Sequence, residues 1–289
     1  MDIVTTIEKE DGRYPELLAR IADPPVRLFC RGDVALLNTF CIAVVGTRRA
    51  SDYGKQACRD VAGGLAAAGI TVVSGLALGI DATAHRAAVD SKGRTIAVLG
   101  AGVGDDTMGP RSNIPLAHDI LAHGGLIISE YPEGHEASVW KFPQRNRIIS
   151  GLSRGVVVVE AARESGSLIT AKSALDQDRD VFAIPGSIYW PRSAGTNWLI
   201  AEGARPIGSA ADVLDAYRLK QMPLPEQSVS TREPVQAGIL TLLRENGPMH
   251  QEAIVATSES DAARVMGAIA LLELDGTIRH LGSGTYALK

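Results

Sequence analysis

Six short apolar runs alternating with helical patterns predict an α/β chain built on a doubly wound, mostly parallel sheet. Three further helical patterns closed by a hairpin predict a small winged helix at the end of the chain. The runs are residues 42–45, 71–74, 95–99, 126–129, 156–160 and 181–184. None alternates: polar residues stand only at the ends of the runs and the middles are apolar throughout, as a strand covered on both faces requires. Helical patterns fill 53–68, 81–91, 114–123 and 167–177. This alternation gives a Rossmann-like domain over 41–220, with residues 1–40 as a leader packing on it. Met222-Pro223-Leu224-Pro225-Glu226-Gln227-Ser228 has no period and opens a linker over 221–233.

In the remaining 234–289, helical patterns at 234–245, 250–256 and 261–275 precede two strands, 277–280 and 285–288, that flank Gly282-Ser283-Gly284. Val265, Ile269 and Leu272 stack on one face of the third helix as its core stripe. Arg264 is the only cation of that helix and Asp261, Glu273 and Asp275 oppose it. Phosphate neutralisation dominates duplex affinity, so the helix is a poor groove reader, and protein contact or scaffolding is the expected role.

At 289 residues, 45% hydrophobic and 21% charged, the chain buries a sizeable core without staples. Cys30, Cys41 and Cys58 fit neither a zinc knuckle nor a disulfide framework, and the acidic start of the chain has no apolar segment of a signal peptide. A reducing, cytoplasmic setting is therefore expected. Residues 61–80 carry no charge over a length that would cross a bilayer, but their five glycines break them into helix end, turn, strand and loop, so no membrane span is expected.

Against a net charge of −4, residues 141–154 hold four cations and no acid. Lys141, Phe142, Arg145, Asn146 and Arg147 combine cation and aromatic, the minimal chemistry for single-stranded nucleic acid. A solvated helix face with Phe142 in the core accounts for the segment equally well on its own. The loops at the strand ends add to it. Gly46-Thr47-Arg48-Arg49-Ala50-Ser51, Ser74-Gly75 through Gly79, Gly100–Gly104 and Ser165-Gly166-Ser167 are rich in small residues that let a ligand approach backbone N–H groups and helix N-termini. Arg48 supplies a charge-assisted bond to a phosphate. All these loops fall on one sheet edge and together make a phosphate-binding rim.

Other chemistries lack their motifs. Gly100–Gly104 does not have the dinucleotide spacing, and no P-loop, zinc-protease or nucleophile-elbow pattern occurs. No catalytic residue, metal or cofactor is expected. Asp81 and His85, one helical turn apart, read as a helix-start acid paired with a histidine.

Taken in order, Val45-Gly46-Thr47-Arg48 with Ser51 and Tyr53-Gly54, Val73-Ser74-Gly75-Leu76-Ala77 with Gly79-Ile80-Asp81, Ser129-Glu130-Tyr131-Pro132, Phe142-Pro143 with Arg145-Asn146-Arg147-Ile148-Ile149, Ser165-Gly166-Ser167-Leu168-Ile169-Thr170-Ala171 and Ala183-Ile184-Pro185-Gly186 resemble the bacterial DNA-processing protein A family, also called Smf. The resemblance runs from about Tyr14 to Tyr217, with a looser one over the winged helix. It implies a Rossmann-like core that binds single-stranded DNA, homodimers, and loading of the recombinase RecA onto incoming, protected strands during natural transformation. The binding roles it implies fall on Arg48, Lys141, Phe142, Arg145 and Arg147, with Asn146 as polar partner. Gly46, Ser51, Ser74, Gly75, Gly79, Ser165, Gly166 and Ser167 would give backbone contacts or room.

Two features depart from the family pattern. Met108-Gly109-Pro110 replaces its usual Tyr-Pro pair, and the leader is too short for the helical N-terminal domain of some members. The alternative reading is a Rossmann-like hydrolase of nucleoside monophosphates. Such enzymes resemble a P-G-G-x-G-T-x-x-E pattern, of which only Pro185-Gly186 is present, leaving Glu160 and Glu130 as candidate acids.

Overall fold

The computed structural model describes residues 4–136, 141–219, 233–258, 260–274, 276–282 and 284–288. The chain divides into two compact units, 1–224 and 225–289.

In the first unit the strands are β1 (Thr5–Glu8), β2 (Arg27–Gly32), β3 (Cys41–Val45), β4 (Thr71–Ser74), β5 (Thr95–Leu99), β6 (Leu126–Ser129), β7 (Gly155–Val158), β8 (Asp180–Ala183) and β9 (Arg205–Pro206). The helices are α1 (Glu16–Ala19), α2 (Asp52–Ala67), α3 (Ile80–Asp90), α4 (Ile114–Ala122), α5 (Lys141–Leu152), α6 (Ser167–Asp176), α7 (Ala194–Ala201) and α8 (Ala210–Ala216). One sheet runs in the order β1-β2-β6-β5-β4-β3-β7-β8-β9. From β6 to β9 every neighbouring pair is parallel.

The apolar strands are covered on both faces, which is why they do not alternate. Ile42 and Val44 of β3 pack toward the α2 and α3 side with Val61, Leu65 and Ala84. Ala43 and Val45 pack on the opposite side with Ile148, Ile149 and Ala171 of α5 and α6. The uncharged 61–80 stretch becomes the end of α2, β4 and the loop into α3. Among the described residues no helix is long and apolar enough to cross a membrane.

The first 40 residues do more than pack on the sheet. Their β1 and β2 enter it as antiparallel strands, β2 against β6. Met108, at the departure from the family pattern, is buried in a satellite cluster with Leu76, Val103 and Leu116.

The second unit holds α9 (Pro234–Asn246), β10 (Met249–His250), α10 (Gln251–Thr257), α11 (Ala262–Leu274), β11 (Ile278–Gly282) and β12 (Thr285–Leu288). Its three-stranded sheet, ordered β10-β12-β11, completes a winged helix. Val265, Ile269 and Leu272 are buried against Ile239, Leu243 and Ile254, so the predicted stripe is the core of the unit.

Candidate nucleic-acid interface

From β3 the chain moves to one side for β4 and later returns to the other side for β7. The crevice between the carboxyl ends of β3 and β7 is therefore the switch point at which a doubly wound sheet offers a ligand site. A cavity of about 330 Å³ opens there. Gly46 and Arg48 after β3, Asn146 and Arg145 of α5, and Ser165, Gly166 and Ser167 at the start of α6 line it. Asp81 and Thr170 are also in the wall.

Arg48 is exposed at the rim. The positive end of α6 faces the same space, because its first residues form the wall. Ser165 and Ser167 hydroxyls lie 2.8 Å apart, and the Asn146 amide donates to the Gly166 carbonyl at 3.4 Å, tying α5 to the α6 start. The arrangement offers a cation, hydroxyls and a helix N-terminus, which suits an anionic backbone.

Arg145 is a different kind of residue from Arg48. Its side chain is inserted into the sheet edge and the residue is only 4% exposed. Nη1 donates to the Gly75 carbonyl at 2.6 Å and to the Val98 carbonyl, and Nη2 lies 3.8 Å from Asp81 Oδ2. Burial pulls the guanidinium below its usual range, with Asp81 opposing that shift. Burial likewise pushes the Asp81 carboxyl up, against the pull of Arg145 and of the Ala77 and Gly75 N–H groups. Gly75 makes room for this packing, since a Cβ there would displace the guanidinium from its carbonyl partners.

Arg147 is two positions on, so it leaves α5 on a different side. Its Nη2 donates to Glu130 Oε2 at 2.7 Å and its Nε to Asp23 Oδ2 at 3.0 Å. Of the two arginines expected to fix a DNA backbone, Arg145 holds the sheet edge and Arg147 joins α5 to the leader and to the end of β6. The side chains of Lys141 and Phe142, on which the stacking expectation falls, lie outside the described residues.

Ser51 caps α2, accepting from the Gly54 N–H at 3.0 Å. Its hydroxyl donates to Glu160 Oε1 at 2.7 Å and its own N–H to Oε2 at 2.8 Å. Ser74 is buried, donating to the Val44 carbonyl at 2.7 Å. Gly79 has φ +78°, and a Cβ on it would meet the Thr47 carbonyl at 2.3 Å, so the close approach of the two loops requires glycine. These residues support the wall from behind. His85 does not pair with Asp81; its Nδ1 lies 2.7 Å from Thr95 Oγ1.

Residues 5–218 match the model of the family described as DNA recombination-mediator protein A, and residues 223–284 match that of the DprA winged helix domain. DNA processing protein DprA of Bacillus subtilis is 44% identical over 232 residues, which cover 80% of this chain and 75% of that relative. The solved structure of DNA processing protein A from Streptococcus pneumoniae superposes with a TM-score of 0.69 at 45% identity, covering 73% of this chain and 74% of that one. The Helicobacter pylori counterpart, whose structure describes a single-stranded DNA binding mode, superposes with a TM-score of 0.67 at 32% identity, covering 75% of this chain and 98% of that one.

Proposed function

Because the chain belongs to the DNA recombination-mediator protein A family, we propose that it binds single-stranded DNA at the β3–β7 crevice and passes the strand to the recombinase RecA, as a homodimer and without turnover. The observation that carries this reading is the cavity at the switch point, where Arg48, Asn146 and the α6 N-terminus converge. In this reading Arg48 and Lys141 meet phosphates, and Gly46, Ser165, Gly166 and Ser167 let the backbone come close. Phe142 stacks a base, and Arg145 positions the wall. The similarity to the Helicobacter pylori protein supports the choice of strand.

Both candidate acids of the hydrolase reading have partners within the protein. Glu160 is buried, with both oxygens accepting from Ser51, and both Glu130 oxygens accept from Arg147.

The test is an anisotropy titration of labelled oligothymidine and of a matching duplex. Preference for the single strand is the expected result, and Arg48→Ala should weaken binding to oligomers of any sequence alike, since phosphate contacts carry no sequence information. Phe142→Ala is expected to weaken binding about 5- to 150-fold, the range of one base stack. Equal weak binding to both nucleic acids would overturn the reading. RecA nucleation on strands pre-bound by the protein then tests the mediator step.

A further inference from the structure

The loop after β8 shows Ile188, Tyr189 and Trp190 to solvent at 83%, 86% and 48% exposure, beside Tyr53 of the first turn of α2 at 40%. Tyr53 and Trp190 meet edge to face, with centroids 5.9 Å apart and planes at 66°. The Tyr53 hydroxyl donates to the Pro185 carbonyl at 2.6 Å.

The loop is fixed from within. The Ser187 hydroxyl accepts from the Tyr189 N–H at 3.2 Å and its carbonyl from the Trp190 N–H at 3.1 Å. The Asn197 amide brackets Gly186, accepting from its N–H at 3.1 Å and donating to its carbonyl at 2.9 Å. A contiguous apolar patch held out in water on a pinned loop marks a binding surface.

Its place and charge select the occupant. β8 is parallel to β7, and β7 to β3, so this loop leaves the same sheet edge as the cavity, two strand spacings or about 10 Å from the Gly46 rim. Arg49, four residues before Tyr53, and Arg192, two after Trp190, are exposed. Asp52, the carboxylate of the same turn as Tyr53, has Lys55 3.6 Å away. Exposed aromatics with cations on either side suit unpaired bases on a phosphate backbone, because every base has a π-face.

We propose that Tyr189 and Trp190, backed by Tyr53, form a second base-stacking station, which takes the bases of a single strand as it runs out of the cavity. The proposal rests on the single-strand reading of the cavity and extends its track across β7 to β8.

The test uses the full chain with two oligothymidines, of about 4 nucleotides to fill the cavity alone and about 16 to reach past it. A Tyr189→Ala/Trp190→Ala variant is expected to bind the short oligomer as wild type does and the long one about 5- to 150-fold more weakly. Trp190→Phe alone, which keeps a stacking face, is expected to hold wild-type affinity for both. Abasic sites in the outer half of the long oligomer should weaken wild type and leave the double variant unchanged.

Wild-type binding of the long oligomer by the double variant overturns the proposal and leaves the cavity reading standing. A change of oligomeric mass in the double variant with unchanged DNA affinity overturns it in favour of a self-contact. Failure of wild type to bind either oligomer overturns both readings.

Discussion

Arg145 carries its charge into the sheet edge, where the Gly75 and Val98 carbonyls and the Asp81 carboxylate receive it. Arg145→Met would fill much of the volume but leave Asp81 buried without its partner. It is expected to lower stability by about 3–5 kcal/mol in a urea titration, the usual cost of breaking a buried pair. His85 is buried too, and burial holds its ring well below the ordinary 6.5, at about 3, with the Arg145 charge adding to the effect. The unfolded chain therefore takes up a proton that the folded chain refuses. The stability this gives is complete above 6.5 and is lost as pH falls toward about 3. The slope within that window reaches about 1.4 kcal/mol per pH unit, and His85→Gln should flatten it in melts run across those pH values. The segment 141–154 announced a concentration of cations, but composition does not state which way each one faces. Arg145 and Arg147 are both legible as charges, and only helical geometry sends one into the sheet and the other to Asp23 and Glu130.

At the start of α2, Ser51 both caps the helix and donates to Glu160. Ser51→Ala is expected to cost about 0.5–2 kcal/mol as a lost cap. Ser51→Asp, ordinarily an equivalent cap, should cost more than Ser51→Ala, because its carboxylate would take the place of a hydroxyl 2.7 Å from Glu160 Oε1. Thermal melts of the two variants decide the order. The central strands were legible because burial on both faces leaves apolar runs whose only polar residues, such as Thr71, Ser74, Thr95 and Ser129, stand at the ends. β1 and β2 were not, since Thr5–Glu8 and Arg27–Gly32 mix buried and exposed residues and resemble surface chain. β9, two exposed residues long, gives no pattern to find. The glycine-rich loops were legible as a rim, but not the division of labour within it, in which Gly79 serves the approach to Thr47 and Gly75 the approach to Arg145.

At the scale of the whole molecule, a net charge of −4 means that a strand is drawn by a local field, so binding should weaken with salt only in proportion to its few phosphate contacts. Arg147 is set against two carboxylates and Arg145 is buried, and this reading assigns the phosphate contacts of the cavity itself to Arg48 and Lys141. The slope of log K against log salt for oligothymidine is then expected near about −1.4, at about −0.7 per phosphate. Arg48→Ala should halve it in an anisotropy series. Glu160, finally, spans the switch point. Its carbonyl receives the Thr47 N–H at 2.7 Å and its carboxylate the Ser51 N–H at 2.8 Å. The two amides that flank the arginine-bearing turn thus end on one residue of the opposite half-sheet. Their hydrogens should exchange with solvent at a common rate, as a single opening unit, so that one opening of Glu160 frees both sides of the turn at once.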